Sequence, residues 1–137
     1  MGLILDSSIL IAGERRGDTL QQIIHRVNAA HGDLESALSA ISIIELTHGI
    51  YRSKTQAQRA SRQSFVDELS RDMIVHPVSI EIARLAGRIE GEQAARGISI
   101  AVEDLVIGTT ALVLGYGVAT LNLGHFQAIP NLRVVTL

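Results

Sequence analysis

The sequence predicts one α/β domain with a central, mostly parallel sheet of about five strands and helices on both faces. Apolar residues run from Leu3 to Leu5, which is typical of a strand buried on both faces. Segments of strand and helix character then alternate to the end of the chain. With 137 residues, the chain has the length of one domain with its own core, so we expect residues 1–137 to form a single unit.

Apolar spacing and capping residues predict the elements after this first strand. The helices are predicted near 8–12, from a cap at Asp18 or Thr19 to about 30, and at 42–52, 55–71, 79–96 and 103–114. The remaining strands are predicted at 38–41, 73–76, 117–120 and 132–137. Gly13, Gly97 and Gly115 follow apolar helical segments, and we expect each of them to end a helix.

The composition is that of an ordinary globular protein, with 47% hydrophobic and 19% charged residues. A net charge of −2 indicates no global attraction to nucleic acid or to a membrane surface, and 3% aromatic residues leave little material for stacking bases. The absence of cysteine favours a reducing compartment. With no signal peptide and no long apolar span recognised, we expect a cytoplasmic protein without a membrane segment.

Three acidic residues lie where a strand meets a helix or where a helix begins: Asp6, Glu45 and Asp104. Such positions meet at the carboxyl edge of a parallel sheet, where α/β proteins bind ligands. Two carboxylates about 4 Å apart repel by roughly 4 kcal/mol at an effective dielectric near 20, so a converging set needs a cation. Oxygen ligands with excess negative charge suit Mg²⁺ or Mn²⁺, and such a site is typical of metal-assisted phosphodiester hydrolysis.

Each acid also has a purely structural interpretation. Asp6 is placed to cap the helix that follows it. Glu45 follows Ser42 at the spacing of a capping box, Ser-x-x-Glu. Asp104, with Glu103, falls in the first turn of a helix, where the helix dipole favours negative charge.

Motifs spread over nearly the whole chain resemble the PIN-domain nucleases, and in particular the VapC-type toxins of bacterial toxin–antitoxin pairs. The matching segments, in order, are Leu5–Ile11 (LDSSILI), Ser42–Leu46 (SIIEL), Glu103–Leu112 (EDLVIGTTAL), Ala119–Asn122 (ATLN) and His125–Val134 (HFQAIPNLRV). The resemblance implies a Rossmann-like sheet, RNA cleavage dependent on Mg²⁺ or Mn²⁺, a homodimer, and inhibition by a cognate VapB-type antitoxin.

On the same resemblance, Asp6, Glu45 and Asp104 match the metal-binding acids of the family. Ser8 matches a hydroxyl that shapes the site, and Thr120 matches the residue that ends the fourth strand near the metal. The chain departs from the pattern at the fourth acid. The two positions at which the family often carries it hold Asn122 and His125, so we expect one firmly held ion, with Asn122 as a neutral catalytic residue.

Other candidates for the site carry a positive charge or a titratable ring. Arg15 and Arg16 follow the first helix and are candidate contacts to RNA phosphates, and Arg52, Lys54, Arg59 and Arg62 form a candidate basic strip. A solvated surface is the alternative for both groups. His48 lies one helical step from Glu45, with a surface or capping role as its alternative.

The antitoxin is expected to hold the site through an arginine that pairs with Asp6 and Asp104. Apolar residues between 43 and 69 would form a groove for its helix, or else belong to the core; they are Ile43, Ile44, Ile50, Phe65 and Leu69.

Two other functions are compatible with the sequence. One is a catalytically weak or silent PIN fold that regulates a DNA-binding partner, and the other is an RNA-processing nuclease that is not a toxin. A haloacid-dehalogenase phosphatase would need an aspartate in place of Ser8, and the glycine-rich turn of a dinucleotide-binding site is absent after the first strand.

Overall fold

The protein is a five-stranded parallel sheet flanked by six α-helices, in a computed structural model that describes all residues from Met1 to Leu137. The strands are β1 (Gly2–Leu5), β2 (Glu35–Ser39), β3 (Ile74–His76), β4 (Gly117–Ala119) and β5 (Val134–Val135), arranged in the order β3-β2-β1-β4-β5. The helices are α1 (Ser7–Arg16), α2 (Leu20–His31), α3 (Ala40–Tyr51), α4 (Gln56–Asp72), α5 (Ile80–Ala94) and α6 (Val102–Leu114), with a short 3₁₀ helix at Leu123–His125. The predicted fold class is confirmed, and all four strand pairings are parallel.

The sheet separates two hydrophobic cores. Leu3 and Leu5 of β1 pack into a core shared with α1, α2, α3 and α4. Ile4, between them in sequence, packs on the other face with residues of α5 and α6. All three side chains are fully buried, and burying one leucine or isoleucine stabilises a fold by about 2 kcal/mol. The continuous apolar run of β1 therefore reflects a strand with helices on both sides.

Helix α1 continues past the glycine that was predicted to end it. A β-carbon on Gly13 would lie 2.4 Å from Cδ1 of Ile23, so this glycine allows α1 and α2 to pack closely. The helix ends instead at Gly17, whose φ of 79° lies in the left-handed region. The prediction for Gly13 is therefore wrong, because glycine serves close helix packing as well as helix ends.

The second strand begins and ends earlier than predicted. It covers Glu35–Ser39, and the apolar Ile41 that was assigned to it belongs to α3. The hydroxyl of Ser39 caps this helix by accepting a hydrogen bond of 3.3 Å from the Ile41 amide. The fifth strand is likewise shorter than predicted, because only Val134–Val135 pairs with β4.

The cap of α2 distinguishes between its two predicted residues. Thr19 accepts a hydrogen bond from the Gln22 amide at 3.2 Å, and the Gln22 side chain accepts one from the Thr19 amide. This is a complete capping box. Asp18 instead pairs with Arg16 at 2.8 Å and with Arg26 at 3.0 Å.

None of the helices combines the length and the apolar character that crossing a membrane requires.

Candidate active site

The strand order places a crevice at the carboxyl ends of β1 and β4. The chain builds β2 and β3 on one side of β1 and then returns to place β4 and β5 on the other. This reversal leaves a gap between the connections that leave β1 and β4, which is where open α/β sheets bind ligands. Asp6 directly follows β1, and Thr120 directly follows β4.

Asp6 is held by two hydroxyl groups and does not cap its helix. Its side chain makes no capping hydrogen bond, although it occupies the N-cap position of α1. Its Oδ2 atom accepts hydrogen bonds from Ser8 Oγ at 2.8 Å and from Thr120 Oγ1 at 2.7 Å. With 4% of Asp6 exposed, these bonds compensate for much of the carboxylate's lost hydration. The predicted supporting residues thus both contact Asp6.

The backbone after β4 orients both hydroxyls toward Asp6. The Leu121 amide donates to Ser8 Oγ at 3.1 Å, and the Asn122 amide donates to Thr120 Oγ1 at 2.9 Å. Because each oxygen accepts from an amide, its own hydrogen is free to point at the carboxylate. Oδ1 of Asp6 has only a contact of 3.5 Å with Ser7 Oγ and remains available to a cation.

Glu45 is brought to the site by a residue that the sequence did not indicate. The Ser7 hydroxyl donates to Glu45 Oε2 at 2.5 Å and so connects the start of α1 to α3. The capping-box interpretation of Ser42 and Glu45 is wrong, because the N-cap of α3 is Ser39 and Glu45 lies in the second turn. The Ser42 hydroxyl is buried without a hydrogen-bond partner.

The start of α6 contributes two carboxylates. Burial raises the pKa of Glu103 to about 7, with further contributions from the charge of Glu45 and a hydrogen bond to it, and from the charges of Asp104 and Asp6. Burial also raises the pKa of Asp104, in part offset by the positive charge of His125, while Asp6 and Glu45 raise it further. The charges of Asp6 and Glu45 thus contribute to the raised pKa of both carboxylates at the start of α6.

Glu103 therefore provides a fourth carboxylate where the family pattern did not place one. Its only signal in the sequence was its position beside Asp104 at the start of a helix. Asn122, expected to replace the fourth acid, is exposed, and its side chain makes no hydrogen bond within the protein. Nδ1 of His125 lies 3.6 Å from Oδ2 of Asp104, at the edge of the acidic group.

The chemistry of these side chains fits a divalent cation, although they do not form a finished coordination shell. No three His, Asp or Glu side chains surround a common point as the ligands of one ion would. All four acids are hard oxygen donors, and burial together with the neighbouring carboxylates raises the pKa of Glu103 and Asp104, which disfavours their charged forms. A cation would favour the charged forms.

Several of the other predicted residues lie in the groove, in the core or on the surface. Arg16 points away from the site into its ion pair with Asp18, whereas Arg15 lines a groove that also contains Glu45. Ile50 and Leu69 are core residues, which removes them from the predicted partner groove, whereas Phe65 lines the same groove as Arg15 and Glu45. His48 is exposed on α3 and makes no hydrogen bond through its side chain.

Comparisons with known proteins agree with this architecture. The PIN domain family matches residues 3–131. "Ribonuclease VapC1" of Rickettsia felis is 31% identical over 137 residues, which are 100% of this chain and 97% of the relative. "Ribonuclease VapC" of Rickettsia bellii is 33% identical with the same coverage.

Solved structures show the same fold at lower sequence identity. The VapBC2 structure from Rickettsia felis, bound to a DNA fragment from its promoter, aligns with a TM-score of 0.83 and 22% identity over 100% of this chain and 99% of that one. VapBC-1 of nontypeable Haemophilus influenzae aligns with a TM-score of 0.79 and 22% identity over 99% and 98% of the two chains. The match to the family and the full-length relatives together establish that this chain belongs to the PIN-domain family and is of the VapC type.

Proposed function

We propose that this protein is a metal-dependent endoribonuclease that acts in the cytoplasm as the toxin of a VapBC-type toxin–antitoxin pair. The observation that carries the proposal is the group of four carboxylates at the carboxyl ends of β1 and β4, formed by Asp6, Glu45, Glu103 and Asp104. The names of the full-length relatives in two Rickettsia species support RNA as the substrate.

The acids would hold the cation from three separate elements of the fold. Asp6 offers Oδ1 from the end of β1, Glu45 reaches the site from α3, and Asp104 reaches it from the first turn of α6. A bound Mg²⁺ or Mn²⁺ would polarise the scissile phosphate, lower the pKa of a water and stabilise the leaving oxygen. Glu103 adds negative charge beside these ligands and so strengthens the attraction for a cation.

The hydroxyls of the site serve to orient the acids. Ser8 and Thr120 occupy Oδ2 of Asp6, which fixes the direction of its other oxygen. Ser7 fixes the carboxylate of Glu45. Carboxylates held in this way lose less conformational freedom when the ion and the phosphate bind. Asn122, on the rim, has a free amide that we propose hydrogen-bonds a water or a phosphate oxygen.

An antitoxin is proposed to silence the enzyme by placing an arginine among the acids. One structural relative is a toxin–antitoxin complex from Klebsiella pneumoniae. A guanidinium would reach Asp104 and Glu103, which are half-buried, more readily than Asp6, which is 4% exposed and already accepts two hydrogen bonds. We therefore propose that the arginine pairs with Asp104 and Glu103 of α6, and not with Asp6 and Asp104 as predicted from the sequence.

The homodimer implied by the family resemblance has a candidate surface next to the edge strand β3. Ile74 in β3, Val78 after it, and Ile80 at the start of α5 are exposed by 49%, 44% and 76%. Exposed apolar side chains on an edge strand favour association with another chain. A light-scattering mass of one chain for the purified protein would contradict the dimer.

Cleavage of a labelled RNA by the purified protein tests the proposed activity. We expect cleavage with Mg²⁺ or Mn²⁺, none after addition of EDTA, and none for Asp6→Ala. A folded protein that binds an antitoxin but leaves RNA intact with both metals would instead favour a catalytically silent interaction module.

A further inference from the structure

A groove of about 280 Å³ opens beside the acidic site between α1, α3 and α4. Glu45 belongs both to the acidic site and to the wall of this groove. Ile11, Leu46 and Phe65 form part of its apolar lining. Its volume is near the lower end for pockets that hold small ligands, about 300 Å³, so it suits a group the size of one nucleotide.

Three arginines line the groove, and two of them have free guanidinium groups. Arg62 is already engaged, because its Nη1 donates to the Gly49 carbonyl at 2.7 Å and to Ser53 Oγ at 3.3 Å. Arg15 and Arg52 are exposed and form no ion pair, although Glu14 and Glu45 line the same groove. The two guanidinium groups are therefore available to an anionic ligand.

We propose that this groove is a second phosphate subsite, in which Arg15 and Arg52 bind the RNA backbone beside the cleaved bond. This inference rests on the proposed ribonuclease function. Because Glu45 also lines the groove, an RNA strand whose scissile phosphate lies among the acids can continue directly into it. Guanidinium groups bind phosphate oxygens bidentately, and the apolar wall at Phe65 offers a contact for the attached sugar or base.

Arg62 acts as a positioning residue in this arrangement. Its bonds to Gly49 and Ser53 connect α4 to the end of α3, where Arg52 lies. An acidic peptide would also satisfy Arg15 and Arg52. RNA is favoured because the groove adjoins the carboxylates that would hold the cation for its cleavage, and because a phosphodiester backbone carries charge continuously from one site to the other.

The test measures binding of a fluorescein-labelled single-stranded RNA of 12 nucleotides to protein carrying Asp104→Asn, which we expect to slow cleavage at least a hundredfold. Arg15→Gln and Arg52→Gln are introduced separately and together. Arg84→Gln is the matched control. Arg84 is exposed and forms no ion pair, and it lies on α5, which packs on the opposite face of the sheet. Each groove variant should bind RNA roughly tenfold more weakly. The plot of log binding constant against log salt concentration should become less steep, by about 0.7 for each lost phosphate contact. Arg84→Gln should change neither quantity.

Unchanged affinity in both groove variants, or an equal loss in Arg84→Gln, would overturn the subsite. Variants that keep RNA affinity but lose a co-expressed antitoxin would overturn it as well, because the groove would then belong to a protein partner. Cleavage by the protein without Asp104→Asn, measured with Mn²⁺, is scored separately. Absence of cleavage would refute the proposed function. The RNA-binding measurements on the groove variants would still decide whether the groove holds phosphate.

Discussion

The Ser7 hydroxyl donates a hydrogen bond of 2.5 Å to Glu45 Oε2, which joins the first residue of α1 to the second turn of α3. This bond positions one acid of the site from a residue 38 places away in the chain. Ser7 follows Asp6 directly, so a single segment holds two of the four carboxylates.

Ser7→Ala should lower RNA cleavage more than it lowers stability. Losing one hydrogen bond to a charged acceptor costs about 1.5–3 kcal/mol when the acceptor stays buried, and less where water replaces the donor. Since Glu45 is only partly buried, we expect a loss of about 1 kcal/mol in unfolding free energy and roughly tenfold slower cleavage. Single-turnover cleavage and urea denaturation measure the two effects. Ser61→Ala, an exposed serine of α4, is the control, and equal cleavage in both variants would show that Ser7 does not position the acid.

Thr120→Val should destabilise the protein because it removes a hydroxyl that serves two partners. The variant leaves Oδ2 of Asp6 with one donor and leaves the Asn122 amide without its acceptor. We expect a loss of about 1–3 kcal/mol in unfolding free energy. Thr110→Val is the matched control, since Thr110 is also buried but bonds only to the Val106 carbonyl within its own helix. If both variants lose the same unfolding free energy, the hydrogen bond to Asp6 contributes no more than a bond within a helix.

The pKa of Glu103 predicts that stability falls as the pH rises without metal. Burial, Glu45, Asp104 and Asp6 raise this pKa from 4.5 to about 7, so the folded protein binds the proton more tightly than the unfolded chain does. Stability should therefore decline between about pH 4.5 and pH 7. The full shift corresponds to roughly 3 kcal/mol, which solvent screening at this partly exposed site reduces to about 1 kcal/mol.

Melting curves from pH 5 to pH 8 in EDTA measure this decline. Glu103→Gln should flatten it, and Mn²⁺ should restore stability at pH 8 in the unmodified protein. Glu90→Gln, which alters an exposed acid of α5, should leave the decline intact. If stability declines equally in Glu103→Gln, other titratable groups cause the pH dependence.

Asp104→Asn should abolish most RNA cleavage without unfolding the protein. The variant removes the charge of a carboxylate that we propose binds the metal, so we expect at least a hundredfold slower cleavage. Asp104 is not the N-cap of α6, and the raised pKa of Asp104 indicates that its charge is unfavourable in the absence of metal. The melting temperature should consequently stay the same or rise. A clear drop in melting temperature would support a structural role for Asp104, and full activity would remove it from the metal site. Asp67→Asn, on the surface of α4, provides the comparison.

Binding of a co-expressed antitoxin should depend on the carboxylates of α6. If a partner's arginine pairs with Asp104 and Glu103, replacing both with alanine should weaken the complex by roughly tenfold or more. Asp6→Ala alone should have a smaller effect, because Asp6 is buried beneath two hydroxyls. Added Mn²⁺ should compete with the antitoxin. Equal affinity for the unmodified protein and the double variant would show that these acids do not anchor the partner.

The elements that are governed by local pattern were predictable from the sequence. The apolar run of β1, the helical spacing in α2 and α5, and the glycine that ends α6 depend on residues a few places apart. The element boundaries that were predicted wrongly involve residue types that occur in two different structural contexts. Gly13 resembles a helix end but provides space for Ile23, and Ile41 resembles part of a strand but lies in the first turn of α3.

The sequence alone also determined which chemistry is available, because acids after strands and at helix starts meet at one edge of a parallel sheet. Only the tertiary structure decided which side chains touch. It placed Ser7 against Glu45, added Glu103 to the acidic group, and turned Arg16 to Asp18 while leaving Arg15 free in the groove. Neighbours in sequence such as Arg15 and Arg16 diverge because successive residues of a helix point about 100° apart, and the packing of α1 against α2 and α3 decides what each of them meets.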